Sequence, residues 1–183
     1  ELIAEDVIGL RGVPLGGLGT GAVDLDARGV LGWSHLFNPG SESSEWKNWF
    51  YPRRTPVLQP LLGASLNGRT WLLNTPEVCS GEPIGWCSEP QRQLKPEGEV
   101  FWPPVQAETR RVEGVACARR VRFWGHYPVA ELAYELDCPL TFGLRAWAPF
   151  IPGDAAASSI PAAVFELHIA NPSEEAVAAR IAL

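Results

Sequence analysis

Methionine is absent from the chain, and so is any long apolar run. No stretch approaches the roughly 20 consecutive apolar residues that a membrane-spanning helix requires. The first residues also lack the basic-then-apolar pattern of a secretion signal. We therefore expect no membrane span and a cytoplasmic location. Because methionine is missing even at the first position and a strand-like pattern runs to the last, we also expect a fragment of a longer polypeptide.

An excess of positive charge is missing as well. The formal net charge of the 183 residues is -6, and basic residues occur only as short pairs. Because nucleic acids and anionic membranes are held by clustered lysine and arginine side chains, the sequence argues against both as partners. A hydrophobic content of 46% and a charged content of 20% are typical of a soluble globular protein. With no linker or internal repeat in view, residues 1–183 are interpreted as one domain.

Cysteine and histidine are too few and too scattered to suggest a metal site. The four cysteines lack the close spacing of zinc ligands, and the three histidines lie far apart in the sequence. We favour reduced, mostly buried thiols over a disulfide, since free cysteine behaves as a small apolar residue. Neither a metal nor another cofactor is predicted. The cysteines are Cys79, Cys87, Cys117 and Cys138, and the histidines are His35, His126 and His168.

A helical apolar stripe of useful length is also missing, and apolar residues alternate with polar ones at period two instead. Such alternation is what a half-buried strand requires. Repeated short strands separated by glycine and proline turns predict an all-β fold, an antiparallel β-sandwich. The clearest apolar sets are Leu132, Tyr134 and Leu136 in one run and Phe165, Leu167 and Ile169 in another.

Two hairpins are predicted from turn dipeptides. Asn67-Gly68 suits a tight hairpin turn, because both of its positions accept positive φ. Glu113-Gly114 is interpreted likewise, as the turn of a second hairpin. The predicted arms are 57–66 with 69–73, and 105–112 with 115–124.

Four glycines within residues 16–21 mark a forced backbone path close to the start of the chain. A dinucleotide or phosphate loop would need either G-x-G-x-x-G running into a helix or a Gly-Lys-Ser/Thr ending. Gly17, Gly19 and Gly21 instead alternate, no lysine follows, and the next residues are strand-like. The pattern favours a glycine-lined strand against which another backbone or a large ring packs closely.

Two blocks of sequence carry a resemblance to a known family. The first is Gly12-Val13-Pro14-Leu15-Gly16-Gly17-Leu18-Gly19-Thr20-Gly21, followed by Trp33 and by His35-Leu36-Phe37-Asn38-Pro39-Gly40. The second is Ala148-Pro149-Phe150-Ile151-Pro152-Gly153-Asp154 with Ser158-Ser159-Ile160-Pro161-Ala162-Ala163-Val164-Phe165. In combination they resemble the N-terminal domain of glycoside hydrolase family 116, which includes the non-lysosomal glucosylceramidase and microbial β-glucosidases.

The resemblance implies a retaining β-glycosidase whose nucleophile and acid/base lie in a separate C-terminal (α/α)6 catalytic domain, with no cofactor for the chemistry. No residue of this chain matches those catalytic motifs, so no catalytic residue is assigned and the chain alone is expected to be inactive. The implied partners are that domain and a β-glycoside substrate. Since the family's sandwich is larger, this chain would be an incomplete part of a two-sheet domain.

An aromatic-dense segment is the best candidate for contact with a sugar or with another domain. Flat rings and guanidinium groups suit sugars, whose C–H faces stack and whose hydroxyl groups accept hydrogen bonds. Burial at the end of the sandwich or in an interface is the simpler alternative. The candidates are Trp33, Asn38, Trp46, Trp49, Tyr51, Arg53 and Arg54. A free-standing carbohydrate-binding module would stack sugars on Trp46, Trp49 and Tyr51, whereas a structural interaction domain would contact no sugar.

Glycoside hydrolysis generally uses two carboxylates on opposite sides of the scissile bond, and the sequence offers two candidate acidic pairs. Asp24 and Asp26 share one face of a predicted strand, but the simpler interpretation is that both are solvated. Glu131 and Glu135 lie on the polar face of another predicted strand. Neither pair is assigned to catalysis.

Overall fold

The computed structural model describes residues 2–3, 12–34, 55–81, 84–86, 93–94, 100–101, 105–107 and 111–183. Within these ranges nearly all regular structure is β, apart from the α-helix Ala155–Ser158 (α1) and a 3-10 helix at Pro76–Cys79. The predicted all-β, antiparallel fold is confirmed. Neither of these short helices is long and apolar enough to cross a membrane.

The strands are numbered along the chain. They are β1 (Leu2–Ile3), β2 (Val13–Leu15), β3 (Val23–Leu25), β4 (Val30–Ser34), β5 (Thr55–Pro60), β6 (Gly63–Leu66), β7 (Arg69–Leu72), β8 (Ile84–Trp86), β9 (Gln93–Leu94), β10 (Val100–Phe101), β11 (Val105–Ala107), β12 (Val115–Cys117), β13 (Arg120–His126), β14 (Val129–Glu135), β15 (Thr141–Trp147), β16 (Val164–Ala170) and β17 (Ala179–Ala182).

Three larger sheets are formed by these strands. A five-stranded antiparallel sheet has the order β1-β13-β14-β15-β16, and a four-stranded antiparallel sheet runs from β2 to β5 in chain order. The third sheet has the order β12-β7-β6-β17, and its β12 and β7 are parallel. Two short pairs, β8 with β11 and β9 with β10, complete the pairing among the described residues.

The apolar core brings the five-stranded sheet and the β12-β7-β6-β17 sheet together. Alternation along β14 buries Ala130, Leu132 and Tyr134 and turns Glu131 and Glu135 outward, as the sequence predicts. From the opposite sheet the core receives Ala64, Leu66, Trp71 and Leu73, and from β2 and β3 it receives Val13, Leu15 and Leu25.

The hairpin at Asn67-Gly68 is confirmed, with φ of 49° and 77° at the two turn residues. Its first predicted arm, 57–66, is wrong as a single strand. That run divides into β5 and β6, which belong to different sheets. The apolar pattern continues through Leu61 and Leu62, but Pro60 and Gly63, which flank these two residues, mark the break in the sequence.

The second predicted hairpin is wrong. Gly114 does adopt a turn conformation, with φ of 76°, but β11 pairs with β8 and β12 pairs with β7. The arm predicted at 115–124 is broken between β12 and β13. Ala118 donates its N–H to the Asn74 carbonyl, whereas Arg119 donates to the Glu135 carbonyl. Ala118 is thus bonded to the bend that follows β7 and Arg119 to β14, so the chain passes from one core sheet to the other at this point.

Both core sheets end, among the described residues, in edge strands that are consecutive in the chain. β16 is the last strand of the five-stranded sheet, and β17 is the last strand of the β12-β7-β6-β17 sheet. Phe165 and Ile169 pair with buried residues of β15, and Ile181 pairs with buried Ala64, so all three side chains lie on inner faces. They are nevertheless 37%, 45% and 37% exposed. The strand predicted from Phe165, Leu167 and Ile169 is confirmed, but only Leu167 packs against the core.

Candidate functional site

The glycine-rich residues 16–21 form a turn between β2 and β3, and not the glycine-lined strand that the sequence favours. Gly19 and Gly21 have φ of 72° and 103°. The Thr20 hydroxyl and N–H both donate to the Gly17 carbonyl, at 2.9 and 3.1 Å. Because this turn leads into an antiparallel strand, it has no helix N-terminus that could hold a phosphate, which agrees with the argument against a nucleotide loop.

The predicted close approach of another backbone does occur, at Gly17. The neighbouring Leu18 donates its N–H to the Ser158 carbonyl at 2.8 Å. A Cβ on Gly17 would lie 2.8 Å from the Ser159 carbonyl carbon and still closer to the Ile160 carbonyl group. Any residue larger than glycine would therefore collide with backbone. The two blocks of sequence that carry the family resemblance contact each other at this position.

Ser158 holds the second of these blocks in place. Its side chain is buried, and its Oγ accepts from the Ile151 N–H at 2.8 Å and donates to the Ile151 carbonyl at 3.1 Å. Asp154 caps α1 by accepting from the Ala157 N–H at 2.9 Å, and its carbonyl accepts from the Ser158 N–H at 3.1 Å. The loop is thus fixed by internal hydrogen bonds from both ends of α1.

Five apolar side chains stand exposed around this junction, and we call them the Ser158 surface. They are Leu18, Tyr127, Phe150, Ile151 and Ile160, each between 42% and 52% exposed. The rings of Tyr127 and Phe150 meet edge to face with centroids 5.5 Å apart. Together the five expose on the order of 400 Å² of apolar area, a size at which patches on monomers are often functional.

A buried ion pair occupies the turn between β3 and β4. The Asp26 carboxylate accepts from the N–H and the Nε of Arg28, each at 2.9 Å, and Arg28 Nη2 is also 2.9 Å away. The two side chains are 3% and 11% exposed. Burial raises the pKa of Asp26 above its ordinary value, although the charge and hydrogen bonds of Arg28 act in the opposite direction. The expectation that Asp24 and Asp26 are solvated is wrong, because both are buried.

The same turn packs against the interior of the sandwich, which explains the burial of its carboxylate. Thr75 donates its N–H to the Arg28 carbonyl at 3.0 Å, and a Cβ on Gly29 would lie 3.4 Å from the Tyr134 ring. Burial raises the pKa of Tyr134, so its hydroxyl is protonated at neutral pH. Three buried atoms have no hydrogen-bond partner among the described residues: Asn74 Nδ2, Thr75 Oγ1 and Tyr134 Oη. Ordered water commonly satisfies such groups.

Cys79 and Cys117 form a disulfide, with Cα atoms 6.2 Å apart. The expectation of reduced thiols is wrong for this pair, whose sequence separation of 38 gave no spacing signal. The bond links the 3-10 helix to β12. Cys138 is free and partly buried, as expected, and its Sγ lies 3.3 Å from the Leu140 carbonyl oxygen. Cys87 lies outside the described residues.

The predicted sugar or domain contacts fall mostly outside the described residues. Trp33 lies in β4, where its backbone is paired with that of Pro56. The remaining candidates stay predictions, and so does the role of Trp33. Those outside the described residues are Asn38, Trp46, Trp49, Tyr51, Arg53 and Arg54.

The acidic residues of β14 are confirmed as solvated. Glu131 forms an exposed ion pair with Arg145 at 2.6 Å, and Glu135 forms one with Arg122 at 2.7 Å. His168, in β16, is likewise exposed. Among the described residues, no group of three or more histidine, cysteine or acidic side chains is arranged to hold a metal ion.

Sequence reasoning missed the Ser158 surface, although a signal for it exists. Phe150 follows a proline, and Ile151 and Ile160 each precede one. Proline has no N–H to donate, so residues beside it are poorly placed in the interior of a sheet. Large apolar residues next to prolines, in a segment without periodicity, therefore indicate an exposed apolar loop.

The fold places the chain among all-β domains of the sandwich type. A family model described as "beta-glucosidase 2, glycosyl-hydrolase family 116 N-term" matches residues 12–183. The chain therefore belongs to glycoside hydrolase family 116 and represents its N-terminal domain, which confirms the resemblance seen in the sequence. An N-terminal domain of such a family implies a catalytic partner domain in the same polypeptide. A search of curated proteins gave no match.

Proposed function

We propose that this domain is the non-catalytic part of a retaining β-glycosidase, packs against a C-terminal catalytic domain and helps to wall its active site. The match of residues 12–183 to the N-terminal family model is the observation that carries the proposal. The substrates would be β-linked glucosides or xylosides, or glucosylceramide, hydrolysed without a cofactor. The polypeptide would be cytoplasmic.

The open side of the sandwich supports a larger two-sheet domain. The inner faces of β16 and β17 leave Phe165, Ile169 and Ile181 partly uncovered, and both strands are edges among the described residues. An exposed apolar edge strand is a template for further pairing, and proteins normally cover it. In the proposed arrangement, additional strands of the same polypeptide pair with β16 and β17 and complete the core.

Residues 33–54 form the segment that we propose faces the catalytic domain near its pocket. Trp33 begins this segment, and the position of its backbone in β4 ties the segment to the β2–β5 sheet. Aromatic rings and arginines are enriched in protein interfaces and also suit sugar contact. The other proposed contacts are Asn38, Trp46, Trp49, Tyr51, Arg53 and Arg54.

Hydrolysis of an aryl β-glucoside tests where catalysis resides. We expect the full-length polypeptide to release the aryl group and the purified 183-residue chain to give only the rate of the buffer blank, because no residue of this chain matches the catalytic motifs that the family resemblance implies. Enzyme-level hydrolysis by the isolated chain would overturn the proposal. So would the absence of any β-glycosidase activity in the full-length polypeptide, since the function assigned to its catalytic half would then be wrong.

The aromatic segment also favours a second candidate, a free-standing carbohydrate-binding module, which sugar titration followed by tryptophan fluorescence tests. Under the main proposal, the isolated chain shows no saturable quenching, because the sugar pocket belongs to the other domain. Saturable quenching that disappears in Trp46→Ala or Trp49→Ala, but persists in the control Trp124→Ala on β13, would support the module instead.

A further inference from the structure

We infer that the Ser158 surface is the face on which the catalytic domain of the same polypeptide docks. This inference rests on the proposed function, and it goes further by naming the contact residues on this side of the interface. Three properties of the surface support it: its rigidity, its backbone hydrogen bonding and its size.

The surface is rigid although it consists of loop residues. The Leu18 N–H is bonded to the Ser158 carbonyl, and the Ser158 hydroxyl is bonded to both backbone polar groups of Ile151. Ala148 also donates its N–H to the Pro128 carbonyl at 3.1 Å, which fixes the turn that carries Tyr127. Apolar side chains on a mobile loop could fold back onto the core, whereas these are held outward. Little conformational entropy is lost when such a preorganised surface is covered.

Backbone hydrogen bonding indicates that the Ser158 surface and the open edge of the sandwich bind different kinds of partner. β16 and β17 are edges among the described residues, so they suit the addition of strands. In the Ser158 surface, by contrast, the Leu18 N–H and both backbone polar groups of Ile151 are already used in internal hydrogen bonds. What these two residues still present outward is apolar side-chain area. A helical domain, whose backbone is bonded internally and which packs through side chains, fits that requirement.

The size of the surface favours a partner that is covalently linked. A separate protein or a second copy of this chain usually needs about 800 Å² on each side for a stable complex, roughly twice what the Ser158 surface offers. Interfaces between domains of one chain bury about 600–1,500 Å² in total, or about 300–750 Å² a side. A linked domain is held at an effective concentration in the millimolar range, so a small apolar patch is sufficient.

Site-specific photo-crosslinking in the full-length polypeptide tests this assignment. A photoreactive amino acid replaces Ile160, and mass spectrometry identifies the peptides to which it is joined after irradiation. We expect intramolecular crosslinks to peptides of the catalytic domain. Crosslinks to other parts of the N-terminal domain, crosslinks between two copies, or irradiation without any crosslink would each overturn the inference.

A charge placed on the same surface provides the second test. We expect Leu18→Glu to lower the yield of the Ile160 crosslink by roughly tenfold, because a carboxylate would have to be desolvated in an apolar interface. Val112→Glu is the matched control: Val112 is 54% exposed in a turn outside the Ser158 surface, and its replacement should change the yield by less than about twofold. Equal yields in the two variants would contradict the inference.

Two further readouts keep the outcomes separate. Ile151→Glu places the charge elsewhere on the surface and is used if circular dichroism shows that Leu18→Glu does not fold; we expect the same loss of crosslink. Aryl β-glucoside hydrolysis is measured separately, on the full-length polypeptide without the photoreactive amino acid or any substitution. A crosslink to the C-terminal part without hydrolysis would refute the proposed glycosidase function and leave the docking face intact, whereas hydrolysis without the crosslink would refute the docking face alone.

Discussion

Replacing Gly17 by alanine is expected to lower the free energy of unfolding by about 3 kcal/mol. The added Cβ would lie 2.8 Å from the Ser159 carbonyl carbon and 2.7 Å from that of Ile160. Both obstacles are backbone atoms, so neither can move aside by changing a rotamer. The Leu18 to Ser158 hydrogen bond would have to lengthen or break. Urea unfolding of the chain, followed by tryptophan fluorescence, measures the change.

Gly19→Ala is the matched control for this prediction. Gly19 has φ of 72°, but a Cβ there would meet nothing within 4 Å. Its replacement should therefore cost only the strain of a left-handed backbone, about 1–2 kcal/mol. If Gly17→Ala is no more destabilising than Gly19→Ala, the close contact between the two sequence blocks is not a significant source of stability.

Replacing Arg28 by alanine is expected to lower the free energy of unfolding by about 3–5 kcal/mol at neutral pH, because it leaves the Asp26 carboxylate buried without its charged partner. Both side chains are almost completely buried, so solvent screens the interaction little. Arg145→Ala is the control. It breaks the Glu131 to Arg145 pair, in which both side chains are more than one third exposed, and should cost less than about 1 kcal/mol. Equal losses in the two variants would contradict a buried pair.

Acid should reduce the effect of Arg28→Ala. The pKa of Asp26 is raised in the folded state relative to its ordinary value of 3.8, and Arg28→Ala removes the charge and the side-chain hydrogen bond that lower it, while the backbone hydrogen bonds from residues 28 and 30 remain. The folded variant therefore takes up a proton before the unfolded chain does, and the folded state gains stability as pH falls through the folded-state pKa. We expect the loss caused by Arg28→Ala to be smaller at about pH 4.5 than at about pH 7.5. An equal or larger loss in acid would show that Asp26 does not titrate in this way.

Local patterns predicted the type of structure but not the assignment of strands to sheets. Asn67-Gly68 was sufficient for its hairpin, because a turn with positive φ at both positions depends on those two residues. The runs 57–66 and 115–124 each contain two strands from different sheets. An alternating apolar pattern is compatible with a strand of either sheet, so it does not identify the sheet to which the strand belongs. The change of sheet at Ala118 and Arg119 is set by hydrogen bonds to distant residues, which no local pattern encodes.

The candidate site was predictable in part for the same reason. Glycine density predicted that another backbone or a large ring packs closely against residues 16–21, since the absence of a side chain is a local property, but it could not identify the Ser158 loop as the partner. The burial of Asp26 was missed because an acidic residue beside a turn is usually solvated. Arg28, two residues later, makes the burial tolerable. The disulfide between Cys79 and Cys117 depends on the pairing of β12 with β7, which the sequence did not predict.

The bond between Leu18 and Ser158 also sets an order of events during synthesis on the ribosome. The glycine turn leaves the exit tunnel before its partner segment around Ser158, which follows it much later in the sequence. β1 likewise leaves the tunnel well before β13, the strand with which it pairs. Such distant contacts give the domain a high contact order and slow closure. We therefore expect the nascent glycine turn to remain open to chaperones until the α1 loop has emerged.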